Sequence, residues 1–283
     1  MGGMGMPDLR ENPSDPPALE QIIAKRVVFT VPMMQQVIIR KNIVYKVVDG
    51  VPLKADFYLP PGSGPGERPA VILIHGGPIP ANLLTPPKEW GIFVSYGQII
   101  AASRLVGVTF NHRFYGGEHL ADAQSDVEDL VAYVRQNAGD LGIDKDRIAV
   151  WAFSGGGPLL TGFLREPPSY ISCIVAYYAV LDLRLMRAPG STIEEEILER
   201  YSPVANMAGG DKQIAPIFIA RAGLDNASLN ESIERFIHEA VSRNVMVDFC
   251  NHPGGHHGFD VLDDNDRSRE IIRHTLDFIK AHS

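Results

Sequence analysis

The sequence predicts an α/β protein built on a doubly wound, mostly parallel sheet with a small helical cap insertion. Three observations carry this expectation. Short apolar runs without period-two alternation recur along the chain, as strands buried on both faces require. Amphipathic helical stripes fall between those runs. A strand pair joined by Asp49-Gly50 precedes them, so an antiparallel hairpin leads into repeated strand and helix units.

The elements follow in order. Residues 1–18 are rich in Gly, Pro and Asp, bury almost nothing, and read as a disordered tail, leaving 19–283 as one domain. Val44 to Val48 and Leu53 to Leu59 form the hairpin, because Asp-Gly readily adopts the positive φ of a tight turn. The Pro and Gly cluster from Pro60 to Pro69 ends it. The buried strands are then Ala70 to Ile74, Gly107 to Phe110, Ile148 to Phe153, Ile171 to Val180, Pro216 to Ala220 and Val245 to Phe249.

Val127, Leu130, Val131 and Val134 mark one crossover helix. Leu229, Ile233, Phe236, Ile237, Ala240 and Val241 mark another, which Ser228 and Glu231 would start as a capping box. Arg267 to Ala281 closes the fold as a docked helix. Leu183 to Asp211 interrupts the rhythm with the acidic helical patch Ile193 to Arg200, and 183–211 reads as the small cap.

Composition narrows the function. Of 283 residues, 45% are hydrophobic, enough for a sizeable core, while 26 Lys and Arg against 34 Asp and Glu leave a net charge of −8. With no dense basic run, no nucleic-acid partner is expected, and acidic substrates are disfavoured. The apolar stretch Ile171 to Leu181 falls short of the roughly 20 residues that span a bilayer, so no membrane association is expected. The opening MGGMGMPDLRENPSDPP lacks the basic and apolar regions of a secretory signal, which points to the cytoplasm. Cys173 and Cys250 lie in apolar surroundings and read as reduced, buried thiols. Assembly into a homo-oligomer is compatible with all of this.

The stretch Trp151 to Gly157, WAFSGGG, carries the chemistry. Ser154 follows a buried strand and precedes a helix that Pro158 suits as a first-turn residue. A nucleophilic serine in such a turn accepts strained backbone angles while its hydroxyl points out over the carboxyl edge of the sheet, and the crossing chains demand small neighbours. Ala152, Gly155, Gly156 and Gly157 are small. The pattern departs from G-x-S-x-G only in having alanine first. A plain glycine turn is the bland reading. A dinucleotide site fits poorly, because Leu160 holds the third glycine position and Asp182 lies farther on than the roughly 20 residues usual for the ribose-binding acid.

A nucleophilic Ser154 requires a base, an acid to orient it and donors for an oxyanion. Each requirement has a candidate just after a strand. His75-Gly76-Gly77-Pro78 offers the Gly76 and Gly77 amides, with Gly155 as a third donor. Asp225, after the Pro216 to Ala220 strand, is the candidate acid. The base lies in the loop His252-Pro253-Gly254-Gly255-His256-His257-Gly258-Phe259. That loop could instead hold metal through His252, His256, His257 and Asp260, although the spacing matches no familiar zinc pattern. His112, Arg113 and Tyr115 could line the pocket, with a hydrogen-bonded structural role as the alternative for His112.

The order of serine, acid and histidine, together with these glycine motifs, resembles the α/β-hydrolase superfamily over nearly all of Val44 to Ser283. Within it, His-Gly-Gly and the ending His-Gly-Phe-Asp are similar to bacterial carboxylesterases of the hormone-sensitive lipase and dienelactone hydrolase groups. The resemblance implies Ser154 as nucleophile, Asp225 as acid and, through G-x-H-G-F at Gly255 to Phe259, His257 rather than His256 as base. Two features differ. The oxyanion motif is His-Gly-Gly-Pro, and Ser154 stands where dienelactone hydrolases have cysteine. The implied activity is hydrolysis of carboxylic esters with no cofactor, and the short cap and modest aromatic content favour small esters with short acyl chains. A peptidase or amidase of the same fold, or a catalytically silent small-molecule-binding protein, would share most of these residues.

Overall fold

The computed structural model describes residues 19–62, 66–187, 193–209 and 212–283. The expected tail at 1–18 lies outside them, as does part of the expected cap. Among the described residues eight strands form one sheet: β1 (Ile38–Val48), β2 (Val51–Leu59), β3 (Arg68–Ile74), β4 (Val106–Phe110), β5 (Ile143–Phe153), β6 (Ile171–Tyr177), β7 (Ile217–Ala222) and β8 (Val247–His252). Their order is β1-β2-β4-β3-β5-β6-β7-β8. Among the described residues, only the β1/β2 and β2/β4 pairs are antiparallel. The β1/β2 hairpin turns through Asp49 at φ 49° and Gly50 at φ 79°, both in the left-handed region a two-residue hairpin needs.

The helices are α1 (Leu19–Ile23), α2 (Gly91–Ala102), α3 (Leu120–Gln136), α4 (Ala138–Leu141), α5 (Thr161–Arg165), α6 (Glu195–Arg200), α7 (Ala227–Ser242), α8 (Phe259–Leu262) and α9 (Asp266–His282). Alternate residues of the central strands feed two separate cores. Ile72, Val150 and Ile174 pack with α3 and α7 on one face, whereas Val71, Ala149, Trp151 and Val175 pack with α2 and α9 on the other. A strand buried from both sides has no polar face, which is why its sequence reads as an unbroken apolar run.

Several boundaries differ from expectation, each for a local reason. The strand begun at Ile171 ends at Tyr177, not Val180, because Tyr178 turns at φ 36° and the Val180 amide bonds to the Ser154 carbonyl at 2.9 Å. The last strand starts two residues late, since the Val245 amide still bonds to the Ala240 carbonyl at the end of α7. The cap of α7 is Asn226, whose Oδ1 accepts from the Ser228 amide at 2.9 Å, while Glu231 pairs with Arg235. The Ser228 and Glu231 capping box is therefore not formed. Pro158 lies inside a 3₁₀ segment, Ser154–Leu160, ahead of α5, rather than in the first turn of an α-helix. Of the segment 183–211, Leu198, Tyr201 and Met207 are buried, and the last two join the α3/α7 core.

Candidate active site

The backbone at the end of β5 is extended through Phe153 and then reverses at Ser154, whose φ is 52°. A non-glycine residue in this region is strained, and such strain persists where surrounding structure holds it. The glycines show what holds it. A Cβ on Gly155 would sit 1.8 Å from the Gly77 carbonyl oxygen, one on Gly156 2.7 Å from the His75 oxygen, and one on Gly157 2.2 Å from the Val180 oxygen. The loops after β3 and β6 thus cross directly on the turn. Gly76 is also close, its virtual Cβ 3.1 Å from the Ser154 Cβ.

Three side chains from three loops meet here. His257 Nε2 is 2.8 Å from Ser154 Oγ, and His257 Nδ1 is 2.6 Å from Asp225 Oδ2. Asp225 also accepts from the Asn226 amide at 2.7 Å, which fixes the carboxylate at the start of α7. The Asp225 side chain is 6% exposed and that of His257 43%. The acid is therefore shielded, while the imidazole remains open to an incoming molecule. The loops carrying them are joined, because the amides of Gly223 and Leu224 bond to the carbonyls of His252 and Gly255.

Below the Gly76-Gly77 loop lie two stacked imidazoles, His75 and His112, with ring centroids 3.5 Å apart. His75 Nδ1 donates to the Gly76 carbonyl at 2.8 Å, and His112 Nε2 donates to the His75 carbonyl at 3.2 Å. Burial pushes the His75 pKa down to about 4 and lowers that of His112 as well. Both rings are neutral at neutral pH. His112 is therefore structural. Arg113 pairs with Asp126 and Asp122, and Tyr115 packs edge-on against His119.

The alternative metal ligands point four ways. His252 meets Asn265 and Ser268, His256 meets Asp263, His257 meets Asp225, and Asp260 accepts from two tyrosines. Among the described residues no group of three or more His, Cys, Asp or Glu is placed to hold a metal ion. Asp182, the acid of the dinucleotide alternative, is buried against Arg184 and Ser202. Cys173 and Cys250 are free and buried, with the Cys173 thiol pushed up to about 12 by desolvation. Among the described residues no helix is long and apolar enough to cross a membrane.

Two residues beside the site were not assigned this setting from sequence. Tyr178, at the end of β6, lays its ring 4.7 Å from the His257 imidazole. In sequence Asp260 is an alternative metal ligand and the last residue of His-Gly-Phe-Asp. It is fully buried and bonds to Tyr178 and Tyr96. The Asp of His-Gly-Phe-Asp was a visible signal for Asp260, but nothing in the run Tyr177-Tyr178-Ala179 singled out Tyr178.

The strand order, with serine, acid and histidine after β5, β7 and β8, defines an α/β-hydrolase fold. The chain belongs to the BD-FAE family, whose profile matches residues 55–226. A thermophilic esterase from the Planctomycetes species Thermogutta terrifontis, Est2, superposes with a TM-score of 0.71 at 23% identity, covering 88% of this chain and 94% of that one. Its propionate-bound form superposes at 0.68 with 23% identity over 88% and 94% of the two chains. The form phosphorylated by paraoxon superposes at 0.67 with 22% identity over 87% and 92%. In sequence, the chain is similar to part of non-reducing polyketide synthase pkbA of Emericella nidulans, 28% identical over 157 residues. It is likewise similar to part of non-reducing polyketide synthase Preu6 of Preussia isomera, 26% identical over 155 residues. These alignments cover 50% of this chain but only 6% and 7% of the synthases.

Proposed function

We propose that this protein is a serine hydrolase that cleaves small carboxylic esters with short acyl chains through an acyl-enzyme. The observation that carries the reading is the continuous contact from Ser154 Oγ to His257 at 2.8 Å and from His257 to Asp225 at 2.6 Å. His257 takes the Ser154 proton as the oxygen attacks the ester carbonyl. Asp225 holds Nδ1 protonated, so that Nε2 is the basic nitrogen. The amides of Gly76, Gly77 and Gly155 stabilise the oxyanion, and His257 then protonates the departing alcohol. In the second half His257 activates water, which releases the acid from Ser154. The reaction needs no metal or organic cofactor. Binding of propionate by the structural neighbour supports the preference for short acyl chains.

Paraoxon tests the nucleophile directly. Attack of Ser154 on the phosphorus expels p-nitrophenolate and leaves a stable diethylphosphoryl ester. Stoichiometric nitrophenolate release, with the adduct mapped to the Ser154 peptide by mass spectrometry, is expected. An adduct on another residue, or none, would refute the assignment.

A further inference from the structure

Behind His257 lies a group that the proposed chemistry does not use. Asp260 is fully buried, three residues beyond the histidine. Its Oδ2 accepts from Tyr96 Oη at 2.7 Å and its Oδ1 from Tyr178 Oη at 2.8 Å. Its carbonyl accepts from the Val28 amide at 2.8 Å. A carboxylate removed from water needs such donors, and each oxygen has one. Tyr96 comes from α2 and packs on Trp151 and Phe153. Tyr178 comes from the end of β6, in a left-handed conformation that a tyrosine rarely adopts, and its ring lies 4.7 Å from the His257 imidazole.

The imidazole edges are taken by Asp225 and Ser154, so Tyr178 supplies the remaining constraint, on the ring's orientation. With 43% of the His257 side chain exposed, solvent does not provide it. The hydroxyl bond to Asp260 keeps Tyr178 from turning away, and the strained backbone at Tyr178 is consistent with a residue held in place from outside.

We infer that Asp260 is a positioning residue for His257, acting through Tyr178 to hold the imidazole between Ser154 and Asp225. This rests on the reading of His257 as the base. The titratable groups facing Asp260 are Tyr96 from α2, Tyr177 and Tyr178 from β6 and its end, and His257 from its own loop. Those facing His257 are Asp225, Ser154, Tyr178 and Asp260. Burial pushes the Asp260 carboxyl up, while the two hydroxyls and the neighbouring His257 oppose this.

The two tyrosines provide an internal control. Tyr178→Phe and Tyr96→Phe each remove one hydroxyl from the same carboxylate, but only Tyr178 touches His257. Tyr178→Phe is expected to lower kcat on a p-nitrophenyl ester about tenfold with KM unchanged, while Tyr96→Phe stays within about twofold of wild type. In Asp260→Asn the hydrogen-bonded Nδ1–H proton of His257, followed by NMR, should weaken through faster exchange with water, because the imidazole is no longer held against Asp225. Equal losses of kcat in the two phenylalanine variants would overturn the inference, as would an unchanged His257 Nδ1–H signal in Asp260→Asn. The NMR signal needs no substrate, so a wild type inactive on every ester would defeat the hydrolase reading and still leave the role of Asp260 decided.

Discussion

Ser154 sits at φ 52° because two neighbouring loops run across the glycines that follow it. The need for small neighbours was legible in WAFSGGG, since a strand-to-helix turn carrying three glycines implies close passage of other backbone. Which chain passes over which glycine was not legible, because it depends on strand order. Gly157→Ala tests this contact. Its methyl would meet the Val180 carbonyl at 2.2 Å. A destabilisation of about 1–3 kcal/mol is expected in urea unfolding, with hydrolysis falling as Ser154 shifts. Asp225→Asn tests the orienting acid: it should cost on the order of 10³- to 10⁴-fold in kcat with little change in thermal stability, because the wrong imidazole tautomer is then favoured. His257 could be separated from His256 and His252 only through the resemblance, for composition alone does not tell a base from a histidine that fastens its loop.

At the scale of elements, the buried strands were readable because both faces are covered, and the amphipathic helices α3, α7 and α9 because one face is not. Helix α2 left no such stripe: seven of its residues, Phe93, Ser95, Tyr96, Gly97, Ile99, Ile100 and Ala101, are buried. Caps were read less well. Asn226 starts α7, and Asn226→Ala should cost about 1 kcal/mol in stability measured by urea titration. The loops after β3 and β4 are joined by the His75 and His112 stack, and this predicts a pH dependence. Unfolded, His75 protonates near 6.5, whereas in the fold burial holds it at about 4. The unfolded chain therefore binds the proton first as pH falls. Stability from this group is complete above about 6.5 and declines towards 4, by about 3 kcal/mol in all. Denaturant titrations across that window should show a shallower decline in His75→Gln than in wild type; parallel curves would contradict the account.

For the molecule as a whole, the parallel run from β3 through β8 brings the loops after β3, β5, β7 and β8 to one edge of the sheet, where serine, acid, histidine and glycine pair meet although they are far apart in sequence. The alternation of apolar runs and helical stripes made this architecture legible, and post-strand placement made the serine, acid and glycine candidates legible. The Tyr96, Asp260 and Tyr178 cluster was not, because it joins α2, the turn after β6 and α8 and exists only once the sheet is assembled. The most direct measurement is hydrolysis of p-nitrophenyl esters over acyl chains from about two to twelve carbons by wild type and Ser154→Ala. The account predicts greatest activity on the short chains and loss of nitrophenol release in a Ser154→Ala protein that keeps its circular dichroism and melting temperature. Equal activity in the two proteins, or a folded wild type that releases no nitrophenol at any chain length, would contradict it.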